Sequence, residues 1–198
     1  MFENLKAEAI KEFHRSMLEN KAWPQEEALR TFTDIAWQNI QANHRYNSLL
    51  WAEEDLARRR SVADSEIAQN KRNIDRYNQL RNNAIEKIDE AILAQIPSSH
   101  ETKEDAWVNS ETAGAIIDRM SIIALRHCNM TKQINDEKKS AEVRREYSEK
   151  IIVLSKQWDT LMFCLNQLLC AFARGDAIFM PIKQLKMYND ARLFKQSI

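Results

Sequence analysis

Apolar side chains recur at three- and four-residue intervals through most of the chain. At about 100° per residue they gather into stripes, the mark of amphipathic helices. A first such helix covers roughly residues 3–20. Pro24 then stands at a favourable first helical position with Glu26 and Glu27 in the first turn, and nothing breaks the pattern before about Arg60. On this second helix Leu29, Phe32, Ala36, Ile40, Leu50 and Trp51 define the buried meridian. A third runs from about 65 to 95, with Asp64 or Ser65 as its N-cap and Ile67, Ile74, Ile85, Ile88 and Ile92 on its apolar face. The stretch IPSSHETKEDAWVNS, with Pro97, is a connection over about 96–109. Asn109 or Ser110 caps the next helix. One of its faces carries Ala113, Ile116, Ile117, Met120 and Ala124, and a second carries Ile122 and Leu125. A last long helix spans about 138–173 and stops at Gly175. The tail of about 175–198, containing DAIFMPIKQLKMYND, reads as a short extended piece followed by helical turns. The fold expected is all-α: one domain over 1–198, a bundle of four or five main helices.

Several polar residues sit on the apolar stripes. Asn43, Asn47, Glu54 and Arg58 fall within roughly 40° of the meridian of the second helix, which turns Glu54 and Arg58 inward. On the third, Asn78 and Arg81 lie on the apolar line itself, while Lys71, Asp75, Asn82, Glu86 and Asp89 form a stripe along its border. Arg72, Arg76, Asn83, Lys87 and Glu90 take the solvated side. Glu111 and Asp118 align with the second face of the helix after Ser110, Asp118 is expected opposite the inward arginines, and Gly114 between the faces allows a close approach of backbone or ligand. A buried charge must be paired or costs several kcal/mol, so so many such groups on neighbouring helices are expected to meet in one network. Taken singly, each has a plainer role, as a satisfied core amide or as an i,i+4 pair such as Lys71 with Asp75.

Composition supports the helical reading. Glycine occurs twice and proline three times, too few for the turns of a sheet-rich fold. With 44% apolar and 29% charged residues, an ordered soluble chain is expected. The formal net charge is zero, which gives no long-range pull toward nucleic acid or an anionic membrane. No apolar run reaches the length of a membrane span, no leader pattern opens the sequence, and a cytoplasmic location is expected. Cys128, Cys164 and Cys170 read as reduced, buried thiols.

The stretches NSLLWAEEDLARR, NKRNIDRYNQLRNNAIEKID, NSETAGAIIDRMSIIAL and LKMYND, in this order, resemble an uncharacterised bacterial helical family of about this length. That family is catalogued as a domain of unknown function and is often encoded beside lipopolysaccharide glycosyltransferases. The resemblance covers most of the chain from about residue 39. It implies a bacterial cytoplasmic protein in an envelope-glycan setting and no reaction type. Many members carry a histidine where this chain has Ala52, so a role resting on that histidine does not transfer.

Two function classes follow. In the first, a buried intrabundle site binds or acts on a phosphorylated small molecule, a nucleotide sugar or sugar phosphate. Glu54, Glu86, Asp89 and Asp118 are the candidate catalytic carboxylates, able with Glu111 to hold Mg²⁺. Asn47, Arg58, Lys71, Asp75, Asn78, Arg81 and Glu111 are the candidate substrate-binding groups, the cations facing phosphate oxygens. The E-x-x-D pair Glu86 and Asp89, with Glu53 and Glu54 upstream, loosely resembles the all-α nucleotide pyrophosphatases, but their upstream E-x-x-E is absent. In the second class the polar network fixes the register of a non-catalytic accessory module, which pairs with a second copy or with a glycosyltransferase. The histidines His14, His44, His100 and His127 lie far apart in sequence without an H-x₃-H or HExxH pair, which argues against zinc, and no glycine-rich phosphate loop occurs.

Overall fold

A computed structural model of the chain describes residues 2–183, and its element order is that of a helical bundle. Helix α1 (Ala7–Glu19) is followed by a single 3-10 turn (Glu26–Ala28), then by α2 (Ile35–Ala57), α3 (Asp64–Leu93), α4 (Ala113–Asn135) and α5 (Ala141–Arg174). Two short strands, β1 (Trp107–Val108) and β2 (Ala177–Ile178), pair in parallel, Trp107 opposite Ala177. Short links make hairpins of α2 with α3 and of α4 with α5, and α1 lies against α4 and α5. The core runs between them through Leu5, Ile10, Met17, Ile40, Ile88, Ile92, Ile116, Ile117, Met120, Trp158, Leu165 and Leu168. Among the described residues no helix is long and apolar enough to cross a membrane. LKMYND and the turns expected around it lie outside the described residues.

The expected helix from Pro24 to Arg60 begins eleven residues late, at Ile35. Residues 29–34 are extended, and Asp34 caps α2, its carboxylate accepting from the amides of Ala36 (2.7 Å) and Trp37 (3.2 Å). A side chain of α2 decides this. The Gln41 amide accepts from Arg30 N at 2.9 Å and donates to Arg30 O at 2.9 Å, so both backbone groups of Arg30 are satisfied without helix. Leu29, placed by periodicity on the buried meridian, is consequently 38% exposed. Phe32 still reaches the core edge, stacking on Trp37 and meeting Phe13 edge-on.

Other helix ends follow local chemistry with small shifts. Thr112, rather than Asn109 or Ser110, caps α4 by accepting from Ala115 N at 3.1 Å, which leaves Glu111 before the helix. Ala63 holds the cap position of α3, with Asp64 its first residue and no side-chain cap bond. Gly175 ends α5 at φ 72°, and a Cβ there would stand 2.3 Å from Glu101 O, so the left-handed turn and the long connection both require glycine. That connection is tied to the turn by Lys103 N donating to Gly175 O and Trp107 N to Asp176 O. The thiols depart from expectation. Because the buried stripe of α5 passes through Leu161, Leu165, Leu168 and Phe172, Cys164 and Cys170 are exposed, and Cys128 is half-buried.

Candidate functional site

Where α2, α3 and α4 diverge they leave an open cleft of about 270 Å³. Asn47, Glu54 and Arg58 come from α2 and its end, Asn78 and Arg81 from α3, and Ile122, Leu125 and Arg126 from α4, with Trp51 and Asp55 on the rim. Five of the residues selected by helical phase are therefore brought to one place. Glu54 and Arg58 are not buried, however. Both are exposed, and Arg58 pairs with Asp55 at 2.6 Å on the surface. The stripe direction is right, but it points into a gap between helices and not into packed core. Arg81 is half-buried; its nearest partner is the Asn82 side-chain oxygen at 3.5 Å, and its Nε has none.

Beneath the cleft lies a buried chain of polar groups joining α2 to α4. Asp118 accepts from the side-chain amides of Asn43 (2.7 Å) and Asn47 (2.9 Å), so two neutral donors, not the inward arginines, satisfy it. The Asn47 amide also donates to Ser121 Oγ at 3.0 Å. Ser121 Oγ lies 2.8 Å from His44 Nδ1, and His44 Nε2 lies 3.1 Å from the backbone oxygen of His14. A carbonyl only accepts, so His44 carries its proton on Nε2 and its Nδ1 accepts from the Ser121 hydroxyl. The direction of every bond is thereby set: Asn47 to Ser121, Ser121 to His44, His44 to His14. Burial holds His44 far down, to about 3, against the small upward pull of the His14 carbonyl, and the ring is neutral. His14 is pushed down as well, first by burial and then by His44. The two rings stack at 4.4 Å, with Trp23 against the far side of His44 at 5.3 Å.

The remaining candidates stand elsewhere. Lys71 and Asp75 pair with each other on the outer surface of α3, where a border stripe meets water and not a neighbour helix. Glu86 faces Lys183 at 3.7 Å. Glu111 pairs with Arg119 at 2.6 Å. Asp89 is buried, and its Oδ1 accepts from Gly114 N at 2.8 Å at the start of α4. Burial raises its carboxyl to about 6, against the lowering pull of Thr112 and Gly114. Gly114 is needed here because a Cβ would meet Ile85 O at 2.6 Å and Asp89 Oδ1 at 2.9 Å. The close approach read from the sequence is thus one of helix to helix. With the carboxylates dispersed in this way, no three His, Cys, Asp or Glu side chains among the described residues converge to hold a metal ion.

Arg126, His44, Ser121 and His14 were not singled out by sequence pattern. His44 had a signal, since three residues before Asn47 it shares that face of α2. His14 lies four residues beyond Ile10 on the apolar stripe of α1, and Arg126 borders the face that carries Ile122 and Leu125.

Fold and site together define an all-α protein with a polar cleft at the junction of two helical hairpins, drained into the core by a directed hydrogen-bond chain. The chain belongs to DUF4254, a family of proteins of unknown function, whose pattern matches residues 37–181 and so takes in the whole cleft and its buried chain except the terminal acceptor, His14. No curated protein and no solved structure matches it.

Proposed function

We propose that this chain binds a phosphorylated small molecule, a nucleotide sugar or sugar phosphate of envelope-glycan metabolism, in the cleft between α2, α3 and α4. One observation carries the reading: Arg81 and Arg126 line the same cleft and neither has a carboxylate partner among the described residues. A guanidinium presents a planar fork of donors that matches phosphate oxygens, and a half-buried one left without a carboxylate gains most from such a ligand. Asn47 and Asn78 add amides on the same walls, and Glu54 and Asp55 on the rim suit sugar hydroxyls or a Mg²⁺ that arrives with phosphate. The glycan setting and the bacterial source follow from the resemblance over residue 39 onward.

A thermal-shift panel of nucleotides, nucleotide sugars and sugar phosphates, each with and without Mg²⁺, tests the reading. A compound held at about a hundred times its Kd adds roughly 2.7 kcal/mol and raises the midpoint visibly. The shift should vanish in Arg81→Met. Silence across the panel would favour the second reading, a helical accessory module for a glycan-synthesis enzyme. That reading draws on the outer face of α5, where Ile152, Val153 and Phe163 are 57%, 56% and 65% exposed.

A further inference from the structure

The cleft does not end at its own rim. A second hollow of about 290 Å³ adjoins it, and the two share Trp51, Asp55 and Arg126 in their walls. Beyond those three the second hollow is lined by Asn129, Met130 and Gln133 of α4 and Tyr147 of α5. Its chemistry differs from that of the first. The cleft brings arginines and two carboxylates; the second hollow brings two aromatic rings, a thioether and two side-chain amides. Neither compartment alone reaches the about 300–1,000 Å³ usual for a small-molecule site, and together they do. A single occupant filling both has two chemically unlike ends that meet beside Arg126, which lines both compartments.

We propose that the occupant is a nucleoside diphosphate or a sugar ester of one, its phosphates at Arg126 and Arg81 and its base in the hollow between Trp51 and Tyr147. This rests on the reading of the cleft as a phosphate site and decides between the two ligand types named there. The Trp51 ring is half-buried, lines both hollows and has no ring partner among the described residues, which suits it to stack on a flat heteroaromatic group lodged there. Tyr147 is half-buried, and Lys150 stands over its ring at 5.4 Å. The Asn129 amide nitrogen donates to Leu125 O at 2.9 Å, which fixes the side chain and leaves its oxygen to accept from a base N–H. Gln133 makes no hydrogen bond among the described residues and offers both a donor and an acceptor. Arg126, common to both compartments, stands at the junction between phosphate and base.

Calorimetric titration of UDP, ADP, GDP and CDP against glucose 1-phosphate tests this on wild type, Tyr147→Ala and Arg81→Met. At least one of the four diphosphates should bind ten-fold or more tightly than glucose 1-phosphate. Tyr147→Ala should erase that advantage and leave glucose 1-phosphate unchanged, whereas Arg81→Met should weaken both classes. If glucose 1-phosphate binds as tightly as every diphosphate, or Tyr147→Ala weakens both alike, the base compartment is wrong while the phosphate site stands. If none of these compounds binds, or binding survives Arg81→Met undiminished, the phosphate site falls and the base compartment with it. Circular dichroism at 25 °C on each variant separates loss of binding from loss of fold.

Discussion

The placement of His14 is costly. Its ring is fully buried, and neither ring nitrogen has a partner among the described residues, while its backbone oxygen accepts the hydrogen bond from His44 Nε2–H. An unsatisfied buried polar group costs about 1–3 kcal/mol, and the backbone oxygen survives any substitution. His14→Leu is therefore expected to stabilise the fold at pH 7 by about 1 kcal/mol, raising the thermal midpoint by roughly 2–4 °C. A lower midpoint by differential scanning calorimetry would mean that the ring nitrogens are satisfied in solution, by water or by a rearranged Ser121. His44 is unlike it. There the ring holds two bonds of opposite sense, so its removal should also strand Ser121.

At the scale of elements, Gly114 sets the distance between α3 and α4. With Ile85 O at 2.6 Å from the site of a Cβ, Gly114→Ala must push backbone against backbone, and overpacking of this kind costs about 1–3 kcal/mol. The expected result is a lower urea midpoint with an unchanged slope, because the unfolded chain is hardly altered. The helices themselves were legible. Scarcity of glycine and proline with a three-to-four residue period announced α1, α3, α4 and α5 to within a few residues. The start of α2 was not, because the information lies eleven residues away: Gln41 clamps Arg30 and makes extended chain as good as helix over 29–34. The site was legible in direction only. Phase alone places Asn47, Asn78 and Arg81 on one side, yet phase cannot tell a packed stripe from one facing a gap, and so it turns Glu54 and Arg58 inward although both are exposed. The partner of Asp118 was misjudged for a related reason, since arginines and asparagines on one stripe are equivalent until the neighbouring helix is in place.

For the molecule as a whole, two buried titrations oppose each other. His14 and His44 stay neutral in the fold, while the unfolded chain takes up protons below about pH 6.5, so their contribution is complete above that pH and shrinks as acid is added. Asp89 runs the other way. Its carboxyl is raised from 3.8 to about 6, so its contribution is complete below pH 3.8 and lost as the pH rises through 6. Replacing it by the neutral isostere should remove only the second effect. Asp89→Asn is expected to gain on the wild type by roughly 2–3 kcal/mol between pH 4 and pH 7, as measured by urea midpoints at both. A difference that does not change with pH would show that the carboxyl titrates at its ordinary value in the fold.

The bonds from Asn43 and Asn47 to Asp118 span 75 and 71 residues of sequence. On a ribosome adding about 5–20 residues per second, Asp118 is made about 4–15 s after Asn43, and the hairpin of α2 and α3, which ends at Leu93, is complete while its acceptor is still about 1–5 s from being made. During that time two amides destined for the interior have only water and each other to bond, and the face that carries them stays wet. The same groups that join the two halves of the finished molecule therefore keep the first half from closing on itself, or on a neighbouring nascent chain, before the second arrives.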